Sequence, residues 1–439
     1  MKSPLFKRVV LAGAAFATVA ASFVASASAA NATVITAGGS DTTLNVMDAI
    51  LAQANAPVGD TWVNLNPFAT SSVSVPGDAN CPTMNFQVAG TTATLPNRLM
   101  PVGSGAGRNM LRDVLAGAST YQGCLDIARS SSFSSGSPAA GTGEYYAFAL
   151  DAVSWATGSL SAPGGMSLDS LRKIYNCTYT DWSEVPGGSA GQIQRYLPQT
   201  SSGTYGFFLS DLLGSSSFNF GTTSASCPAV KYVNATGGAL EENNASVIAP
   251  ADWQSAIFPY SAGQWVYQAN NASNPTIDKR VLPSGGAPAR LGGILTAVDG
   301  TTGLSNAKLL NANPAAYNVT DRKWQLNDAG LSAVQGGASG GYPITEAAST
   351  KVNSVATFPG VRFVYNVLDS RSPDYVKAVQ AVGFDNSNGG IKSAVCNGSR
   401  AAVIASFGFA PLPTAGVTGS VAASANYNLA GSTCRKIVA

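Results

Sequence analysis

Apolar positions along the chain switch repeatedly between the period of a strand and the period of a helix. Thr33 to Ala37 reads as a short strand, and Leu44, Met47, Ile50 and Leu51 then mark one face of a helix, with Asp41 or Thr42 placed to cap it. Leu99 to Val102 reads as a strand and is followed by a helical face of Met110, Leu111, Val114 and Leu115. Leu125 to Ala128 is a short strand that ends at Arg129-Ser130-Ser131-Ser132, and Tyr145 to Ala156 is a long apolar strand interrupted by Asp151. Leu168, Leu171, Ile174 and Tyr175 form a helical face behind Ser167, a good N-cap, and the stretch from Gln199 to Thr204 opens a helix that uses Phe207, Phe208 and Leu212. Further on, Val361 to Val367 reads as a buried strand, Tyr375 to Val382 as a helix, and Ala401 to Phe407 as another apolar segment. Residues 55–96 are loop-rich, with Pro57, Pro67, Pro76 and Pro82, and residues 214–345 are rich in Gly, Asn and Ala with weak patterning. Strands alternating with helices through short turns predict an α/β fold.

Three of the strand-to-helix turns share a composition: Gly38-Gly39-Ser40-Asp41-Thr42-Thr43, Gly103-Ser104-Gly105-Ala106-Gly107 and Thr200-Ser201-Ser202-Gly203-Thr204. The first turn of a helix carries N–H groups without intrahelical partners and a partial positive charge. Glycine lets a ligand approach the backbone, and hydroxyls add donors. One such turn is an ordinary cap; three together point to a cradle for an oxyanion. Each also has a plainer reading: Asp41 and Ser202 as helix caps, Gly103 to Gly107 as a tight turn, Arg129 as a surface ion-pair partner, and Asp151 as a satisfied structural carboxylate.

Composition narrows the chemistry. The chain has no histidine, which excludes Ser-His-Asp and Cys-His catalysis and the common histidine metal sites. Residues 1–30 read as a secretory leader: Lys2, Lys7 and Arg8 precede an apolar run, and Ala27-Ser28-Ala29 is a cleavage pattern with no lipoprotein cysteine near it. Without the leader, 22 basic side chains face 23 acidic ones, a net of −1, so nothing attracts nucleic acid. Six cysteines in an exported chain predict disulfides, and sequential pairing, Cys81–Cys124, Cys177–Cys227 and Cys396–Cys434, closes each loop inside one region.

The stretch Leu168-Asp169-Ser170-Leu171-Arg172-Lys173-Ile174-Tyr175, continuing through Asn176 to Trp182, resembles a helix of the periplasmic phosphate-binding proteins, the solute receptors of ABC-type phosphate uptake. The three Gly/Ser/Thr turns stand in that family's order over residues 33–213. The resemblance implies a two-lobe periplasmic-binding-protein fold of type II with the ligand in the interlobe cleft. On that pattern residues 31–152 begin lobe one, 153–355 form lobe two, and 356–439 return to lobe one. It implies Ser40, Asp41 and Thr42, then Ser104 and Gly105, then Ser202, Gly203 and Thr204 as ligand contacts. The family's Ala-Ser-Asp is replaced here by Ala128-Arg129-Ser130, and its arginine before the third turn by Pro198. Asp41 would then supply the carboxylate and Arg129, beside Ser130, the guanidinium, with Arg108 a second candidate. The implied function is non-catalytic capture of inorganic phosphate or a close oxyanion by a periplasmic or secreted monomer, without a cofactor, for an ABC-type membrane permease. A secreted phosphatase-like hydrolase, or an extracellular structural protein that has lost its ligand, are the alternatives.

Overall fold

The computed structural model describes residues 33–54, 60–77, 81, 83–88, 97–116, 124–134, 143–233, 238–295, 315–318, 322–326, 360–382, 384–385, 391–395, 400–411, 421–422 and 436–438. Its frame is an eleven-stranded sheet. We number these strands β1 (Val34–Gly39), β2 (Thr61–Asn64), β3 (Ile127–Ser130), β4 (Gly143–Thr157), β5 (Gln194–Arg195), β6 (Ala256–Ser261), β7 (Arg290–Leu291), β8 (Val361–Asp369), β9 (Ala410–Pro411), β10 (Val421–Ala422) and β11 (Lys436–Val438). The path runs β10-β11-β4-β8-β3-β1-β2. β1 is parallel to both β2 and β3, while β8 is antiparallel to β3 and β4. The C-terminal part of β4 pairs with β6 and β7 instead, and β6 pairs in parallel with β5. The long strand β4 is therefore common to two lobes, one built on β1, β2, β3 and β8, the other on β5, β6 and β7. This is the two-lobed α/β architecture expected from the sequence.

The helices are α1 (Leu44–Gln53), α2 (Ser104–Ala116), α3 (Leu168–Tyr175), α4 (Gly203–Phe207, continued by a π turn to Leu212), α5 (Ala262–Asn270), α6 (Tyr375–Val382) and α7 (Ala401–Ser406). α3 shows why such a short segment holds as a helix. Ser167 accepts from Ser170 N at its start, Lys173 pairs with Asp169 at 2.7 Å, and Leu171 and Ile174 are fully buried. Cys177, in the left-handed region at φ 68°, ends the run just beyond the cap. α1 departs from expectation: neither Asp41 nor Thr42 caps it, because Thr43 holds the N-cap position and makes no side-chain cap bond. The predicted strand from Leu99 to Val102 shrinks to Arg98–Leu99 and a single bridge between Gly39 and Val102. α5 was invisible to the apolar pattern because its inward face carries Gln264 and Gln268, both buried. Cys81–Cys124 and Cys177–Cys227 are disulfide-bonded; Cys396, Cys434 and the leader lie outside the described residues. Among the described residues no helix is long and apolar enough to cross a membrane.

β4 is buried along its whole length, and its alternation changes phase near the middle. Tyr146 and Phe148 pack into the core on one face, and Ala149, the next residue, packs there too. The slip coincides with a bulge opposite Val364 and Tyr365 of β8. Just beyond it Asp151 lies directly across from Arg362. Both are fully buried and paired at 2.8 Å, and Ser261 Oγ and Gly263 N complete the carboxylate's shell at 2.9 and 3.0 Å. Asp151 is thus the satisfied carboxylate, with its cation on the neighbouring strand. Removing one member of such a pair leaves a bare buried charge, so Asp151→Ala should lower the unfolding free energy by about 3–5 kcal/mol in urea titrations. The double change Asp151→Leu with Arg362→Met should recover much of that loss; equal losses in the single and double variants would show that the charges are not what matters.

Candidate functional site

The parallel strands β1 and β3 end side by side, and their C-terminal turns face the loop that opens α4. In open α/β sheets such strand ends are where ligands sit. Gly39 makes the first turn possible: its φ is +123°, and a Cβ there would lie 2.6 Å from Arg129 O. Ser40 N donates to that same carbonyl at 2.9 Å. In the second turn Ser104 Oγ accepts from Ser131 N at 2.9 Å and lies 3.1 Å from Ser131 Oγ. In the third, Ser202 Oγ caps α4, accepting from Thr204 N and Tyr205 N.

The three turns meet. Gly105 N donates to Ser201 O at 2.8 Å, and Ser201 Oγ donates to Val102 O at 3.1 Å. A Cβ on Gly203 would lie 2.5, 2.7 and 2.9 Å from the hydroxyls of Ser104, Ser131 and Ser132, so hydroxyls from one lobe converge on the backbone of the other. Among the residues expected to form the site, Ser40, Asp41, Thr42, Ser104, Arg129, Ser130, Ser202, Gly203 and Thr204 are buried and Gly105 is half-buried. The cleft is closed.

Three arginines lie at or beside the turns. Arg129 is buried, and its guanidinium donates to the carbonyls of Ser40, Ala37 and Leu65 and to Asn64 Oδ1. It braces the first turn from within, and burial lowers its pKa to about 10. Arg108 donates to Ser130 Oγ at 2.6 Å and to Ser132. The cation that reaches across the turns is Arg362 of β8, which donates to Thr204 Oγ1 at 2.7 Å and lies 3.5 Å from Thr42 Oγ1. The reading of the residues missed it; its signal was a lone arginine in an apolar strand, matching the lone aspartate in β4.

Two acids were also missed, Glu241 and Glu242, in the weakly patterned stretch. Glu242 accepts from Thr42 Oγ1 at 2.5 Å and from Ser202 Oγ at 2.8 Å. Glu241 accepts from Gln199 Nε2 at 2.8 Å through one oxygen. Its other oxygen, and both oxygens of Asp41, receive no N–H or hydroxyl donor. These two carboxyl groups sit close enough for each to disfavour the other's charge. Burial first, and then the charge of Glu242, raise Asp41 from 3.8 to about 7, while burial and Asp41 hold Glu241 well above its usual range. Among the described residues no acid, Cys or His group has metal-holding geometry.

The fold is that of a two-lobed α/β protein whose turns meet in the cleft between the lobes. A family model described as a PBP superfamily domain matches residues 24–349, and the chain belongs to that superfamily. Three solved structures are similar at low identity. An ABC-type phosphate transport receptor from Vibrio cholerae is 14% identical, with 86% of this chain and 99% of that one covered and a TM-score of 0.41. A putative phosphate ABC transporter substrate-binding protein with bound phosphate from Clostridium perfringens is 11% identical over the same shares, with a TM-score of 0.41. A phosphate-binding protein from Stenotrophomonas maltophilia is 15% identical over 87% and 91%, with a TM-score of 0.41. No curated protein matches the chain.

The raised acid makes stability depend on pH in a definite direction. The folded protein holds a proton that the unfolded chain releases above about 4. The stability this contributes is fully present below the unfolded value of 3.8 and is lost as the pH rises through about 7. The urea midpoint should therefore fall between pH 5.5 and pH 8, and Asp41→Asn should flatten that decline. An equal fall in the variant would place the titration elsewhere.

Proposed function

We infer that this protein is an exported, non-catalytic receptor that captures inorganic phosphate, or a close protonated oxyanion, between its lobes. The observation that carries the reading is the convergence of three glycine- and hydroxyl-rich turns from both lobes on one buried point, with the Arg362 guanidinium bonded to Thr204 and near Thr42. Hydroxyls and one cation are donors that a tetrahedral oxyanion needs. We assign Ser40, Asp41, Thr42, Ser104, Gly105, Ser202, Gly203 and Thr204 to the contact surface and add Arg362. Arg129 and Ser130 belong to its support. Residues 31–152 and 356–439 would form one lobe and 153–355 the other, with closure delivering the solute to a membrane permease.

The acids give the reading its selectivity. A carboxylate beside the cradle repels a fully ionised anion but accepts a hydrogen bond from one that keeps a proton. Hydrogen phosphate keeps one at neutral pH, and sulfate does not. The test is calorimetric titration of protein freed of ligand by partial unfolding and refolding. Phosphate should bind with a Kd on the order of micromolar or tighter, and sulfate should give no signal. Asp41→Asn should narrow the preference by about tenfold or more, through gain of sulfate binding, since one unit of log affinity is about 1.4 kcal/mol. Silence toward both anions would overturn the assignment.

A further inference from the structure

Glu242 takes two of the cradle's hydroxyl donors, one from each lobe. Its two oxygens take the hydroxyls of Thr42, on the turn after β1, and of Ser202, at the head of α4. These residues lie in opposite lobes, 200 and 40 positions away from it in sequence. A carboxylate has the planar O–C–O edge that an oxyanion also presents, and it accepts the same hydroxyl bonds. The segment that bears it is anchored on one lobe only. Ser261 N donates to Glu242 O at 3.1 Å, and Gln268 Nε2 donates to Asn243 O at 2.7 Å, both from the β6–α5 unit. Toward the other lobe it reaches through side chains: Glu242 to Thr42, and Asn243 Nδ2 to Asp41 O at 3.4 Å.

We propose that Glu242 is the cleft's internal counter-ligand: its carboxylate occupies the seat of the oxyanion, joins the two lobes in the absence of solute, and must be displaced for solute to bind. This rests on the oxyanion reading above and adds to it a residue that sets affinity. Its position makes it more than an interlobe contact. Thr42 and Ser202 are donors on two of the three turns assigned to the ligand, and while they serve Glu242 their protons are not available to a solute. An anion entering the same seat also meets like charge, so the carboxylate must swing out or the anion must leave. Arg362 reaches Thr42 and Thr204 from beneath and does not depend on Glu242, so the cradle keeps its cation when the carboxylate departs. The closed cleft is then a self-occupied state, and receptor affinity is the difference between two ligands, one of them covalently tethered.

The experiment compares the wild type with Glu242→Gln, which keeps the side chain's size and removes its charge and one acceptor. Small-angle scattering of both proteins without ligand reads the lobe separation, and calorimetry with inorganic phosphate reads the affinity. The expected result is a larger radius of gyration for ligand-free Glu242→Gln and phosphate binding about tenfold tighter than wild type or better. Glu242→Asp, one methylene too short to span both hydroxyls, should open in the same way and guards against an effect peculiar to the amide. A merely structural Glu242 would lower the urea midpoint and leave phosphate binding equal or weaker. An unchanged radius in both variants, or phosphate affinity that fails to rise while the wild type binds, overturns the proposal. Variants that open while no protein takes phosphate uphold the bridge and overturn the solute assignment instead.

Discussion

The buried pair of Asp151 and Arg362 ties the sheet to the cleft. It sits where β4 leaves its partner β8 and begins to pair with β6, so that strands of both lobes come together there. Two opposite charges at 0% exposure are tolerable only because each is fully engaged. The carboxylate takes two bonds from the guanidinium, one hydroxyl from the end of β6 and one N–H from the first turn of α5. The guanidinium keeps its remaining donors for Thr204 and Thr42. One ion pair therefore registers four elements against one another and aims a cation at the turns. The bulge just before Asp151 serves the same end, because a one-residue phase change in β4 decides which face each later side chain meets.

Around that cation the cleft is dominated by acids. Asp41, Glu241 and Glu242 are all buried, and Arg129, which would balance them, is turned onto backbone carbonyls. A bare cluster of three carboxylates would be untenable at this depth. The chain resolves it in two ways. Burial pushes Asp41 and Glu241 toward their neutral forms, which sheds charge, and Glu242 receives two hydroxyl bonds. Both solutions place hydrogen-bond acceptors inside a cradle of donors.

The strands and helices on either side of the three turns were legible from their apolar residues: β1, α1, α2, β4, α3, β8 and α6 all form where the sequence predicts them. So were the turns themselves, whose glycine and hydroxyl content has few other uses in combination. What could not be read was which charges meet. Arg362 lies 211 residues from Asp151, and only the register of β4 against β8 puts them opposite. Arg129 stands beside the predicted loop, yet its guanidinium turns inward, and residue type says nothing about rotamer. Asp41 was poised between cap and site, and the absence of any N–H on its oxygens decides against the cap. Glu241 and Glu242 fall in a stretch whose fold depends on buried polar contacts such as Gln264 to Thr42 O, and such contacts leave no hydrophobic period to detect.

That last point bears on how specificity is distributed over the chain. The turns that offer donors lie on regular elements whose positions follow from strand pairing and helix packing. The acids that qualify those donors come from an irregular segment held by side-chain hydrogen bonds to Thr42, Ser202, Gln199, Ser261 and Gln268. On the proposed reading, the regular frame would supply a general affinity for oxyanions, because any tetrahedral anion can use hydroxyl donors. The irregular segment would then supply the exclusions, because a carboxylate penalises every anion that cannot meet it with a proton. Such a segment can change its residues without disturbing the sheet. On the oxyanion reading proposed above, the identity of the solute is written less in the glycine-rich turns than in the Glu241-Glu242-Asn243 stretch laid across them.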